Sequence, residues 1–241
     1  MAQLSVVLFD LDGVLTPTAE VHRRAWARLF DAFTEENGLP PYSDADYFAL
    51  IDGKPRFEGV ADFVADRGVE LPWGSPDDEP GDSTVCALGN KKNVVVNQLF
   101  ESEGVSPYPG SVAFLDAVVA AGAHVAVVSS SRNAPAVLRA AGLDHYFETV
   151  VDGTVAAAEG LPGKPAPDTY VYAARLFGVT PEQAVVVEDA ISGVQSGRAG
   201  EFGLVVGVDR GVGADALRSA GADVVVADLD ELDASVLEGG R

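Results

Sequence analysis

The run VVLFDLDGVLT (6–16) decides how this chain is read. An apolar, β-branched strand stops abruptly at Asp10 and Asp12, and Gly13 permits the tight turn that follows. Carboxylates two apart at a strand tip can project into one site as the chain leaves the sheet. Acids that interrupt an otherwise buried run point to chemistry rather than to a solvated turn. One can serve as nucleophile and the other as acid and base.

Similar runs recur outward from this strand. Strands are expected at LSVVLF (4–9), HVAVVS (124–129), ETVV (148–151), AVVVE (184–188), GLVVGV (203–208) and DVVV (223–226). They are continuously apolar, as strands covered on both faces are. Helical patterns lie between them, near 109–121, 133–141, 167–178, 190–199 and 213–220. Alternating strands and helices predict an α/β fold, a doubly wound parallel sheet of Rossmann-like form with its site at the carboxyl ends of the strands. Residues 19–103 break the rhythm. Trp26, Leu29, Phe30 and Phe33 share one helical face, and further helices are expected over 55–68 and 90–103. Between these two lies LPWGSPDDEPGDS (71–83), a loop long enough to expect a functional or mobile role. The sequence therefore predicts a core domain over 1–18 and 105–241, with an inserted all-helical cap over 19–104.

Three more strand ends carry candidate chemistry. VVSSSRN (127–133) places hydroxyls ahead of a helix, which suits an anion or a simple cap. In GKPAPD (163–168), Pro165 and Pro167 hold Lys164 in an extended loop. VVVEDAISGV (185–194) ends a strand in Glu188 and Asp189. An acidic pair at the same sheet edge as Asp10 is costly without a cation, and oxygen-only ligands favour Mg²⁺ over zinc.

Composition narrows the classes. The chain has 241 residues, 47% hydrophobic, enough for a large packed core. Sixteen Lys and Arg against 37 Asp and Glu leave a net charge of −21, which argues against nucleic acid and anionic lipid as partners. Cys86 is the single cysteine, so neither an intrachain disulfide nor a cysteine metal cluster can form. Residues 1–9 lack the marks of a secretory signal. The longest apolar region, 112–128, is broken by Asp116, Gly122 and His124, short of a membrane span. A cytoplasmic monomer is expected.

Taken together, the four strand-end motifs resemble the haloacid dehalogenase superfamily of aspartate-dependent phosphotransferases, over residues 6 to about 200. The resemblance implies Asp10 as a nucleophile that forms an aspartyl-phosphate and Asp12 as acid and base. It implies Ser129 and Lys164 holding the phosphoryl group, with Asp10, Asp12, Glu188 and Asp189 holding Mg²⁺. HRRAW (22–26), GKPRFEGV (53–60) and KKN (91–93) resemble the cap of the β-phosphoglucomutase-like subfamily, which closes over a sugar phosphate. That likeness implies His22 positioning Asp12, Trp26 in the sugar pocket, Arg56 at the distal phosphate and Gly53 among the substrate-binding residues. Lys92, Ser130, Ser131 and Asn133 would contact substrate. The expected activity is conversion of β-glucose 1-phosphate into glucose 6-phosphate. Alternatives are a phosphatase for small phosphate monoesters or a non-catalytic sugar-phosphate binder. Two features depart from the family pattern: Pro17 stands where an Asp is common, and loop 71–83 is long.

Overall fold

A computed structural model describes residues 4–238. The outermost residues assigned to the core, 1–3 and 239–241, lie outside the described residues. The chain forms two compact units, Met1–Pro17 with Val105–Arg241, and Thr18–Gly104.

The first unit is built on six parallel strands: β1 (Val6–Phe9), β2 (His124–Val128), β3 (Thr149–Val151), β4 (Ala184–Glu188), β5 (Leu204–Val208) and β6 (Val224–Val226). Their order is β3-β2-β1-β4-β5-β6, so the chain winds outward to one side from β1 and then to the other from β4. Both neighbours of β1 pair along its whole length, Val6 opposite His124 and Ala184, Phe9 opposite Val127 and Val187. The sheet thus opens a crevice where the winding reverses, beyond the carboxyl ends of β1 and β4. Every residue of β1, β4 and β5 is buried, which is why these strands, β4 up to Glu188, read as apolar runs. On one side of the sheet Phe9 meets Phe114 and Phe147 edge to face, at 6.0 and 6.3 Å between centroids.

The second unit is helical, with α1 (Thr18–Asn37), the single turn α2 (Asp44–Asp46), α3 (Arg56–Asp66) and α4 (Val85–Glu103). A π-helical turn over Tyr47–Ile51 follows α2 directly. Its core is an aromatic stack: the Phe30 ring centroid lies 3.8 Å from that of Phe63 and 5.2 Å from that of Trp26, nearly parallel to the indole. Helix α4 begins at Val85, five residues before the expected start, because the Thr84 hydroxyl caps it by accepting from the Ala87 N–H at 2.9 Å. Loop 71–83 is tied to that helix start. The N–H groups of Val85 and Cys86 donate to the carbonyls of Pro72 and Trp73, and Gly81 donates to Ala87.

Helices α5 (Pro109–Ala120), α6 (Ala134–Ala140), α7 (Gly153–Glu159), α8 (Asp168–Leu176), α9 (Ile191–Ala199) and α10 (Ala214–Ala220) complete the first unit. Of these, α7 has no counterpart in the expected helices. Its signal is Asp152, whose carboxylate accepts from the N–H groups of Thr154 and Val155. Among the described residues, no helix is long and apolar enough to cross a membrane.

Candidate active site

Asp10 leaves the tip of β1 with its N–H still donating to the Val187 carbonyl of β4, so the sheet itself sets its position. The turn behind it is closed by Gly13 N–H to Thr16 O and by the N–H groups of Leu15 and Thr16 to Leu11 O. Gly13 has φ 93°, and a Cβ there would fall 1.8 Å from Asp189 Oδ2. Any other residue would be strained and would strike the carboxylate.

Lys164 ties the site together. Its ammonium, 2% exposed, donates to Asp10 Oδ1 at 2.6 Å, Glu188 Oε1 at 2.6 Å and Val128 O at 3.0 Å. Those three bonds use all its protons. The ring of Tyr170 covers the ammonium at 4.9 Å, and its hydroxyl donates to Glu188 Oε1 at 3.0 Å. The other Glu188 oxygen accepts from the N–H groups of Asp189 and Ala190. Both oxygens of Glu188 therefore have partners from the protein. Glu188 lies against α9 where Gly193 leaves room: a Cβ at 193 would sit 1.8 Å from Oε1.

Burial pushes the Asp10 carboxyl from its ordinary 3.8 up to about 8; the nearby Glu188 and Asp12 charges add to this while Lys164 opposes it. Burial would lower Lys164, but Asp10 and Glu188 outweigh it and hold the ammonium above its ordinary range. Asp10, Glu188 and Asp189 each bring a carboxylate oxygen within 4.8 Å of the others. Hard oxygen donors at that spacing, in a pocket where acids outnumber the one lysine among them, fit a divalent cation.

The raised Asp10 value predicts a pH effect on the cation-free protein. Between pH 3.8 and about 8 the unfolded chain ionises Asp10 while the folded chain still holds its proton. The unfolded state then binds fewer protons, so Asp10 contributes falling stability as pH rises through that window, levelling above it. Urea unfolding of wild type and Asp10→Asn across the window isolates the effect, because the amide does not titrate. Wild type should lose ground steadily; a constant gap would mean that Lys164 keeps Asp10 ionised throughout.

Beyond β2, the Ser129 hydroxyl accepts from Ser131 N–H at 3.1 Å, and the Ser131 hydroxyl accepts from Asn133 N–H at 3.1 Å. The segment from Ser129 through Ser130 to Asn133 is thereby folded into a tight turn beside β1. The Asp10–Thr16 turn has a second anchor in Arg210, whose Nε donates to Gly13 O at 2.9 Å while its guanidinium stacks 3.8 Å from the Tyr108 ring.

In the helical unit, His22, Trp26 and Lys92 form one cluster. Lys92, 3% exposed, places Nζ 2.6 Å from His22 Nδ1 and 4.6 Å from the Trp26 ring. An ammonium only donates, so Nδ1 accepts and the ring proton of neutral His22 belongs on Nε2. Trp26 is itself buried and its other contacts are those of the aromatic core. Gly53 sits at φ 70° in the turn leading to α3. At the start of α3, the Arg56 guanidinium donates from Nη1 to Asn90 Oδ1 at 3.1 Å and from Nη2 to Asn93 Oδ1 at 2.9 Å.

The sequence model of the haloacid dehalogenase-like hydrolases matches residues 4–200. The chain belongs to this family. Within it, a β-phosphoglucomutase of Mycobacterium bovis is 50% identical over 235 residues, covering 93% of this chain and 90% of that protein. A fructose-1-phosphate phosphatase of Escherichia coli is 32% identical, covering 80% and 90%. The crystal structure of a β-phosphoglucomutase from Clostridium difficile shares the fold, with a TM-score of 0.78 at 22% identity over 99% of this chain and 96% of that one.

As a haloacid dehalogenase-like protein, the chain brings Asp10, Lys164, Glu188 and Asp189 together at one sheet edge. Three residues that support the two clusters carry no motif. Tyr170 is legible only as a tyrosine on a buried helix face, where its hydroxyl needs a partner. Arg210 and Asn90 give no local signal, since each acts on a distant segment.

Proposed function

We propose that this chain is a Mg²⁺-dependent phosphomutase that converts β-glucose 1-phosphate into glucose 6-phosphate through an aspartyl-phosphate on Asp10. The observation that carries the reading is the 50% identity to a β-phosphoglucomutase along nearly the whole chain, joined to an intact set of Asp10, Asp12, Lys164 and Asp189. Asp10, Asp12 and Asp189 would hold the cation, with Glu188 beside them. When bound, it offsets the repulsion between carboxylate and phosphate and stabilises charge on the phosphoryl oxygens.

The remaining work falls to side chains. An Asp10 oxygen attacks phosphorus and the bond to the sugar oxygen breaks; Asp12 protonates that oxygen as it leaves. In the reverse sense Asp12 takes the proton of an accepting hydroxyl while the phosphoryl group leaves Asp10. Lys164 keeps Asp10 directed and can share its charge with a phosphoryl oxygen. Ser129 would hold a second such oxygen, and Ser130, Ser131 and Asn133 line the same strand end. His22 would position Asp12, and Trp26, Gly53 and Lys92 would shape the sugar pocket in a helical unit that serves as the cap. A local field dominated by the cation and Lys164 admits an anionic substrate to a protein of net charge −21.

Supplying β-glucose 1-phosphate with a trace of bisphosphate tests the reading. Glucose 6-phosphate should appear without free phosphate. Stoichiometric phosphate release would instead make the chain a phosphatase, the reading favoured by its 32% identity to the E. coli fructose-1-phosphate enzyme. Only the accepting group differs, water in place of a sugar hydroxyl.

A bisphosphate has a second anionic group for which the sheet-edge motifs make no provision. Arg56, a planar and permanently charged fork, suits it. Arg56→Ala should cost about 2–4 kcal/mol of transition-state binding, roughly 30- to 1,000-fold in mutase rate. Hydrolysis of acetyl phosphate, which lacks a distal phosphate, should fall far less. Equal losses on both substrates would make Arg56 structural.

A further inference from the structure

The acidic loop 71–83 remains outside the chemistry described so far, yet it is bonded to the residue that holds Arg56. We propose that Asn90 is a positioning residue, and that the loop uses it to fix Arg56 for a substrate's second phosphate. This rests on the reading of Arg56 as the ligand of that phosphate.

Asn90 Nδ2 donates to Pro76 O at 3.0 Å and to Asp78 O at 2.9 Å. Both partners are main-chain carbonyls, which only accept, so the amide can face the loop in one sense alone. Its oxygen is thereby turned to Arg56 Nη1. Asn93, one helical turn on, presents a second amide oxygen to Nη2. The stem is confined as well: a Cβ at Gly89 would lie 3.2 Å from Arg56 Cδ and 2.7 Å from the Phe57 ring, so α4 can pass close beneath. The guanidinium is gripped along two edges and its base by groups of one helix.

The loop does this without bringing its carboxylates to Asn90. Asp78 Oδ2 accepts from Thr84 Oγ1 at 2.6 Å and Ser75 N–H at 3.1 Å. Asp82 takes Lys91 Nζ on both oxygens, at 2.9 and 3.0 Å. The groups of α4 that orient Arg56 are neutral amide oxygens. A cation held in advance loses less freedom when it binds a doubly charged phosphate.

The test uses the full chain with Mg²⁺ and two phosphoryl donors, glucose 1,6-bisphosphate and acetyl phosphate. Asn90→Ala should raise the KM for the bisphosphate about three- to tenfold, the range of one lost hydrogen bond, with kcat on acetyl phosphate unchanged. Asn90→Asp, which keeps the size but loses both donors to the loop, should raise it too. In an Arg56→Ala background, Asn90→Ala should add nothing, because it acts through the arginine. A parallel loss on both donors, or an additive effect in the double variant, overturns the proposal. Should Arg56→Ala prove selective for the bisphosphate and both Asn90 variants leave KM alone, the positioning role falls and the Arg56 reading stands. Should Arg56→Ala show no selectivity, both fall together.

Discussion

Asp10→Asn should lower phosphoryl transfer by more than about a hundredfold while the fold persists, since loss of a nucleophile costs far more than loss of a binding contact. Asp10 sits at the tip of β1 with its N–H bound to β4, and Lys164 grips one of its oxygens at 2.6 Å. An amide of the same shape keeps the backbone bond and can still accept from Lys164 through its oxygen. It offers no carboxylate to form an acyl-phosphate. Lys164 also retains Glu188 and the Val128 carbonyl, so its charge is not stranded. The checks are turnover of β-glucose 1-phosphate, the mass of the protein after brief exposure to acetyl phosphate, and thermal unfolding. Wild type should gain one phosphoryl group and the variant none. A purified, folded variant keeping more than about a hundredth of the wild-type rate would refute the nucleophilic role.

Removal of divalent cations is the second large effect, and it should cut the rate at least as far. Without a cation, burial and the neighbouring acids hold the Asp10 carboxyl up to about 8, so at neutral pH much of it is protonated and poor as a nucleophile. Lys164 alone does not overcome that. Chelation followed by Mg²⁺ should abolish and then restore turnover. Ca²⁺ should bind without restoring it, because its larger, looser coordination fits an in-line attack poorly. Full activity after exhaustive chelation would sink the proposal. Thermal unfolding gives a reading independent of turnover: Mg²⁺ should raise the midpoint of wild type, and less so that of Asp189→Ala.

Strands buried on both faces are apolar along nearly all their length, so β1, β4 up to Glu188, and β5 are legible as runs in the amino-acid sequence. Acids ending such runs mark the sheet edge where chemistry can occur. Helix starts are harder to read. Asp152 and Thr84 begin α7 and α4 by bonds that span only two or three residues. Yet α7 buries none of its residues, so no apolar stripe accompanies its cap and the helix escapes a reading based on periodicity.

The amino-acid sequence by itself determined the six strands, the helices with an apolar stripe, the parallel winding and the identity of Asp10, Asp12, Lys164, Glu188 and Asp189 as candidates. Those follow from periodicity and from residue types at strand ends, which are local properties. Only the tertiary structure decided how the candidates are used. It placed β1 between β2 and β4, and so put Lys164 against Asp10, Glu188 and the Val128 carbonyl at once. It saturated Glu188 with Tyr170 and two main-chain N–H groups, and it turned the Asn90 amide towards Arg56. Hydrogen bonds between segments far apart in the chain leave no periodic trace. Their partners are chosen by packing, after the local elements have formed.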